Sequence, residues 1–329
     1  MKPESSPMIP RSNRNLMCAL LLGLAGTLAL TAPAAAQAPP DSTLAPSDSL
    51  ETGAPPDSLF EFPGGDSLDL PLPFPMETAP GDSVAGYSPT RNMVRVPGGD
   101  ASRLAALRLA VNDDAAPPPE GLYSPGFLMD RTEVTNREFA RFLSAADSNA
   151  RHFDRRMSLV EVEPGRFQAA AERADFPVAY VDWFGAFAYA AWAGKSLPTE
   201  EEWMLAGLGG RPAPDSGYVY PWGDDAVDTL KANVLRRGGF PDSRTVASYA
   251  RGASPEGIYD LSGNVAEWTL TEEAQPLPGG TEQRLIVVKG GSFLDPPENV
   301  TLTARALRHP RERLGSVGFR CIIRLQPEP

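Results

Sequence analysis

The chain has 329 residues, a net charge of −12, and just 2 histidines and 2 cysteines. That length suits one sizeable domain or two small ones. So few histidines argue against zinc, iron or copper centres built from several imidazoles, and the acidic balance argues against a nucleic-acid or anionic-membrane partner.

Residues 1–36 read as an export leader. Lys2, Arg11 and Arg14 give a positive start, and Leu16 to Leu30 form an apolar stretch too short for a comfortable membrane span. Ala34-Ala35-Ala36 is a small-residue cleavage site. Cleavage there predicts a periplasmic or extracellular protein with no membrane span in its mature form. It also removes Cys18, which no lipobox precedes, and leaves Cys321 without a disulfide partner. Cys321 lies in an apolar run with Phe319, Ile322 and Ile323, as a buried small hydrophobe would.

Residues 37–90 hold nine acids and no base, with an Asp-Ser-Leu unit at Asp48, Asp57 and Asp66. Such a segment has too little apolar surface to offset the entropy of folding, and its charge and prolines keep it extended. It reads as a disordered linker, either a tether or a low-complexity tail. Leu50, Leu59, Phe60, Phe62 and Leu68 are its candidate docking anchors.

The folded part spans 91–329. A short strand is predicted at 93–96, followed by a turn at Pro97-Gly98-Gly99, a loop at 115–119 and a second strand at 126–130. Thr135 and Glu138 form a capping box for a helix that carries Phe139, Phe142 and Leu143 on one face. A second helix is predicted over 183–193, capped by Asp182 and stopped by Gly194. Thr199 and Glu202 start a third, shorter one. Beyond Gly209 no long helical period is visible, and strands are predicted at 285–288 and 317–325. Trp203, Trp222 and Trp268 are core candidates. So much irregular backbone without a disulfide needs aromatic packing, side-chain hydrogen bonds or bound cations to hold its loops.

Short motifs punctuate this part in a fixed order. They are Glu133-Val134-Thr135-Asn136, Pro177-Val178 with Asp182-Trp183, and Leu197-Pro198-Thr199-Glu200. Next come Tyr220-Pro221-Trp222-Gly223, Ala232-Asn233-Val234 and Gly263-Asn264-Val265-Ala266-Glu267-Trp268. The last two are Gly290-Gly291-Ser292-Phe293 and Gly318-Phe319-Arg320-Cys321. Together they resemble the formylglycine-generating enzyme (sulfatase-modifying factor) family over about residues 91–325. The resemblance implies an α+β, loop-rich, C-type-lectin-like domain with few short helices and strands.

In the family's oxidases two cysteines, with four residues between them, lie between the Gly-Gly-Ser and Gly-Phe-Arg blocks. Here those positions are Asp295 and Val300. Neither supplies the soft sulfur that copper(I) ligation and thiol exchange need, so no copper and no catalytic residue are expected. Ser292, Asp295, Arg305 and Arg320 are the candidates for a ligand cleft, with arginine forks suited to an anionic or peptide ligand; the alternative is that Arg305 and Arg320 make structural salt bridges.

Calcium is the expected cofactor, since it takes mixed carboxylate, amide and carbonyl oxygens. Asn264 and Glu267, three apart in a turn, are one side-chain pair for it, with the carbonyls of Gly263 and Val265. The resemblance implies calcium there and at a second site, Asn233 with the Val234 carbonyl, to which Asp242 is the candidate acid. Three functions stay open at this point: a calcium-stabilised binding or structural module for an exported protein or peptide partner, an enzyme of unnamed chemistry using Ser292, Asp295 and Arg305, and the family's own oxidation.

Overall fold

The computed structural model describes residues 88–100, 123–209, 211, 220–239, 241–277 and 280–325. The expected leader, the acidic segment up to residue 87 and the loop at 115–119 lie outside the described residues.

The fold is α+β and loop-rich. Strands β1 (Met93–Val96) and β11 (Ile322–Arg324) both pair antiparallel with β4 (Phe127–Asp130), so one central strand closes both ends of the described chain. A second sheet runs in the order β10 (Val317–Gly318), β7 (Ala266–Pro276), β8 (Glu282–Lys289), β9 (Arg305–Arg308). In it, β10 is parallel to β7 and the other pairings are antiparallel. Two small pairs join β2 (Gly99–Asp100) to β3 (Tyr123–Ser124), and β5 (Leu159–Glu163) to β6 (Arg166–Ala169). No described helix is long and apolar enough to cross a membrane.

The three α-helices among the described residues begin where their local chemistry demands. In α1 (Asn136–Ala145) Thr135 accepts from the Glu138 amide, and Glu138 accepts from the Thr135 amide. Asp182 caps α2 (Trp183–Trp192) through Gly185 N at 2.8 Å. The Thr199–Glu202 box starts α3 (Glu200–Leu208). Each box satisfies orphan amides within one turn, so no tertiary contact is needed to place it.

Two hydrophobic clusters hold these elements. Phe139, Phe142 and Leu143 of α1 pack with Tyr189 of α2 and with Phe319, Trp268 and Cys321. Tyr189 and Phe319 meet edge to face at 5.3 Å, one of the preferred aromatic geometries. The other cluster packs Trp203, Met204 and Leu205 of α3 on Phe127, Met129 and Ile322 of the three-stranded sheet. Trp203 and Trp268 are core residues as expected, whereas Trp222 is half-buried and stacks on Tyr220 at 4.9 Å.

The structure corrects two readings and adds a hairpin. The turn expected through Glu267 ends at Val265, and Ala266 opens an 11-residue strand. The first four residues of that strand are all buried, so it shows no alternation. The single strand predicted over 317–325 is two short ones, because buried Arg320 turns off the ladder to reach Glu267. The β5–β6 hairpin has mostly exposed positions and lacked an apolar pattern to reveal it.

Candidate functional site

Gly263-Asn264 is where the separate motifs meet. Gly263 has φ +86°, and a Cβ on it would come within 2.3 Å of the Asn233 carbonyl, so this approach requires glycine. Asn264 follows at φ +61°, a left-handed conformation that asparagine tolerates, and it is 1% exposed. Its amide donates to Asn233 O and its carbonyl accepts from Phe293 N, both at 2.9 Å. Its Oδ1 accepts from Arg244 N (2.8 Å) and Asn233 Nδ2 (3.1 Å), and its Nδ2 donates to Glu133 Oε1 (2.9 Å). One residue, through its side chain and main chain, thus ties four of the motifs together.

Glu267 occupies a second, fully buried junction. Arg320 grips it with a bidentate fork, Nε to Oε2 at 2.7 Å and Nη2 to Oε1 at 2.6 Å. Trp203 Nε1 donates to Oε2 at 2.8 Å. The remaining Arg320 donors reach the carbonyls of Tyr259 and Asp130. Burial works against the Arg320 charge, but Glu267 outweighs it and the guanidinium stays firmly protonated.

Two more carboxyls crowd this junction, and neither was singled out from the sequence. Burial, then the neighbouring Asp260, pushes Glu133 well above the usual carboxylate range. Burial pushes Asp260 up to about 6, against a hydrogen bond from Ala247 N. Glu133 Oε2 is buried without a hydrogen-bond partner. Three buried carboxyls therefore face one guanidinium, and either shared protons or a cation must balance them. A signal existed for Glu133, which opens the Glu-Val-Thr-Asn motif; Asp260 has none beyond its place before Gly263-Asn264.

The donor set suits a cation only in part: Glu133 Oε2 is buried without a hydrogen-bond partner, but both Glu267 oxygens accept from Arg320 or Trp203 and Asn264 Oδ1 accepts from Arg244 N and Asn233 Nδ2. Among the described residues no three His, Cys, Asp or Glu side chains stand at metal-ligand spacing. A cation here would therefore draw several ligands from amide and main-chain oxygens, as calcium does. The second set fits less well. Asp242 Oδ2 pairs with Arg173 at 2.7 Å, and Asn233 Nδ2 donates to the Asp242 carbonyl and to Asn264.

The expected cleft residues separate. Ser292 and Asp295 come together: the Ser292 amide and Oγ both donate to Asp295 Oδ2, at 2.8 and 2.7 Å, and Ser292 Oγ accepts from Leu294 N. This is a capped turn, with Ser292 2% exposed. Val300 is fully buried against Tyr220, Ala232 and Val234. Arg305 pairs with Glu200 and Glu273, in a chain that also holds buried Lys289. Cys321 is the one cysteine among the described residues, fully buried, and burial followed by Asp130 pushes its thiol well up.

A cleft of about 580 Å³ opens beside this framework. Phe293 and Leu294 of the Gly-Gly-Ser block line it, together with Asn136, Arg156, Arg173 and Tyr180. Asp242 also lines it, whereas Ser292, Asp295, Arg305 and Arg320 do not.

The model of the Sulfatase-modifying factor enzyme 1-like domain family matches residues 82–325. The inactive C-alpha-formylglycine-generating enzyme 2 of Bos taurus is 36% identical over 164 residues, 46% of this chain and 51% of that protein. The serine/threonine-protein kinase Pkn1 of Chlamydia trachomatis is 32% identical over 224 residues, 62% of this chain. The chain spans 34% of the length of that kinase. Among solved structures, CarF shares the fold with a TM-score of 0.53 and 22% identity, over 71% of this chain and 98% of its own.

Proposed function

Because the chain belongs to the family of the sulfatase-modifying factor enzyme 1-like domain, we propose that it is an exported, non-oxidase member, a calcium-stabilised binding module. The observation that carries the non-oxidase reading is what stands at the two positions where the family's oxidases hold sulfur. Asp295 caps the Ser292 turn and Val300 is packed in a core. The buried Cys321 thiol, held protonated, does not replace them. The Ser292 hydroxyl is spent inside the Asp295-capped turn and is 2% exposed, which argues against a serine nucleophile.

Calcium would be held by Glu133 and Asp260 with main-chain carbonyls such as those of Gly263 and Val265, since the Glu267 and Asn264 side-chain oxygens already accept from other donors. Its charge offsets the surplus carboxylates and its ligands come from loops that no helix supports. The cleft beside Phe293 is the surface for an exported peptide or protein partner.

The test of the non-oxidase reading is direct. Purified protein loaded with copper is incubated with a sulfatase peptide whose cysteine the family's oxidases convert, and the product is read by mass spectrometry. The expected result is unmodified cysteine; conversion to formylglycine overturns the reading.

A further inference from the structure

We propose that Asp69-Leu70-Pro71-Leu72 of the acidic segment adds to the open edge of β9 as a fifth, antiparallel strand, with the Asp69 carboxylate on Arg308. This goes beyond the binding-module reading, since it needs neither calcium nor the cleft.

Strand β9 is the last of the four-stranded sheet. The bond from Leu277 N to Thr281 O sets the alternation along β8. Ile286 and Val288 therefore face β9, whereas Val287, whose carbonyl accepts from Thr269 Oγ1, faces β7. Arg308 and Ala306 pair with Ile286 and Val288, so Arg305 and Leu307 turn their main chains outward. Among the described residues no other main chain bonds them there. Arg305 is exposed and Leu307 half-buried, and an edge of this kind accepts a further strand. The outer edge of β11, by contrast, is closed by two bonds between Ile322 and Ser196. The β5 edge carries exposed Glu161 and Glu163, which repel an acidic segment.

Arg308 gives the β9 edge its sign. Its side chain is half-buried, and among the described residues no carboxylate pairs with it. Its one hydrogen bond, Nη1 to the Leu307 carbonyl, is long at 3.4 Å. An incoming strand would exchange that contact for better ones. The Leu307 carbonyl would take a main-chain amide, and the guanidinium a carboxylate.

Residues 66–76 lie outside the described residues, and their sequence carries the other half of the argument. Leu68-Asp69-Leu70-Pro71-Leu72-Pro73-Phe74-Pro75-Met76 is apolar at every even position, with three prolines at odd ones. In an extended chain successive amides point to opposite edges. The prolines would thus all fall on one edge, and Leu70, Leu72 and Phe74 would keep their N–H groups on the other. Such a strand pairs on one side alone and ends the sheet it joins. One register meets every demand: Leu70 lies opposite Leu307 and Leu72 opposite Arg305, the two outward positions. Pro71 then faces Ala306, where no donor is needed, and Asp69 faces Arg308.

The tether is long enough. Leu72 lies 16 residues before Ser88, a reach of roughly 50 Å. Gly318, Glu267, Lys289 and Arg305 form one row across the sheet. The path from Asn92 through its bond to Arg131, then the Val134–Phe319 bond and along that row, is at most ~40 Å.

The test is hydrogen exchange at the Arg305 and Leu307 amides, resolved by NMR in the full chain. The expected result is exchange at least about tenfold slower than in the Leu70→Pro, Leu72→Pro double variant, which loses both donors and leaves every described residue unchanged. Pro71→Ala keeps the protection. Asp69→Arg weakens it, and adding Arg308→Asp restores it. Equal exchange in the unmodified chain and the double-proline variant overturns the proposal. So does protection that is lost on dilution, which assigns the strand to a second copy. A change confined to Phe176, Tyr180 and Phe293 also overturns it, by placing the prolines in the cleft.

Discussion

At the residue scale the centre of this domain is a charge problem solved by pairing. Arg320 and Glu267 are both fully buried, 53 positions apart in the chain, and their bidentate bond is what makes either tolerable inside. Arg320→Met would leave Glu267 buried against Trp203 and two other carboxyls. The expected loss is about 3–5 kcal/mol of unfolding free energy, measured by urea denaturation. A loss under about 1 kcal/mol would show that the guanidinium is not the essential counter-charge.

The neighbouring carboxyls predict a pH dependence of definite sign. Asp260 titrates near 6 in the folded chain, above the ~3.9 of an unfolded aspartate. The folded state therefore binds the proton more tightly, and Asp260 alone raises metal-free stability as pH falls from about 7 to about 4, by at most ~3 kcal/mol. Calcium would compete with those protons and flatten the trend. Glu133 is already held towards its neutral form, so Glu133→Gln should cost the metal-free protein little. It should also shrink the stabilisation by calcium. Thermal melts of both proteins across pH, with EDTA or calcium, decide the matter; a variant with an undiminished calcium response removes Glu133 from the site.

Asn264 and Glu267 were legible as residues but not in their roles. Asn264 meets Glu133 across 131 positions, and Glu267 meets Trp203 across 64. No local spacing encodes such pairs, and Asn264 Oδ1 and both Glu267 carboxylate oxygens, which looked free for a cation in the sequence, already hold donors in the fold.

At the element scale the helices were legible and the long strand was not. Thr135, Asp182 and Thr199 act within one turn of chain, so their chemistry is written next to its effect. Strand β7 is buried on both faces at its start and shifts register between Trp268 and Glu272, so it carries no regular alternation. The boxes also differ in consequence. Thr135→Ala removes a cap at the edge of α1 and should cost about 1 kcal/mol. Glu202 closes the α3 box and also receives Arg324 of β11 through two bonds of 2.7 Å. Glu202→Gln should therefore lower the melting temperature more than Thr135→Ala, because it loosens α3 from the terminal strand as well as its own cap. Equal shifts would mean that the Arg324 contact is energetically idle.

At the scale of the whole domain, the question is what fixes the long stretch between α3 and β7. Its described residues contain one short 3₁₀ turn, Ala250–Gly252, and no strand, yet it supplies Asn233, Arg244 and Asp260 to the central junction. Packing there is thin: Tyr220, Ala232, Val234 and Val300 make up its own buried cluster. Ile258 and Leu261 join the Trp203 cluster, main-chain bonds tie the stretch to Asp295, Asp175 and Arg131, and the hydrogen bonds to Asn264 complete the restraints, to which the proposed cation would add. A site with mixed oxygen donors at the weak, extracellular end of the calcium range, Kd ~10⁻⁴–10⁻³ M, gives about 1.4–2.7 kcal/mol at ~10 mM calcium. In a domain of this size that shifts the melting temperature by roughly 3–10 °C. The measurement is calorimetry in EDTA and in calcium, with limited proteolysis mapping the first cuts. The expected outcome is a higher melting temperature with calcium and protection concentrated between residues 220 and 265. Equal melting temperatures would remove calcium from the domain and leave the Glu133–Asp260 pair to be balanced by protons alone.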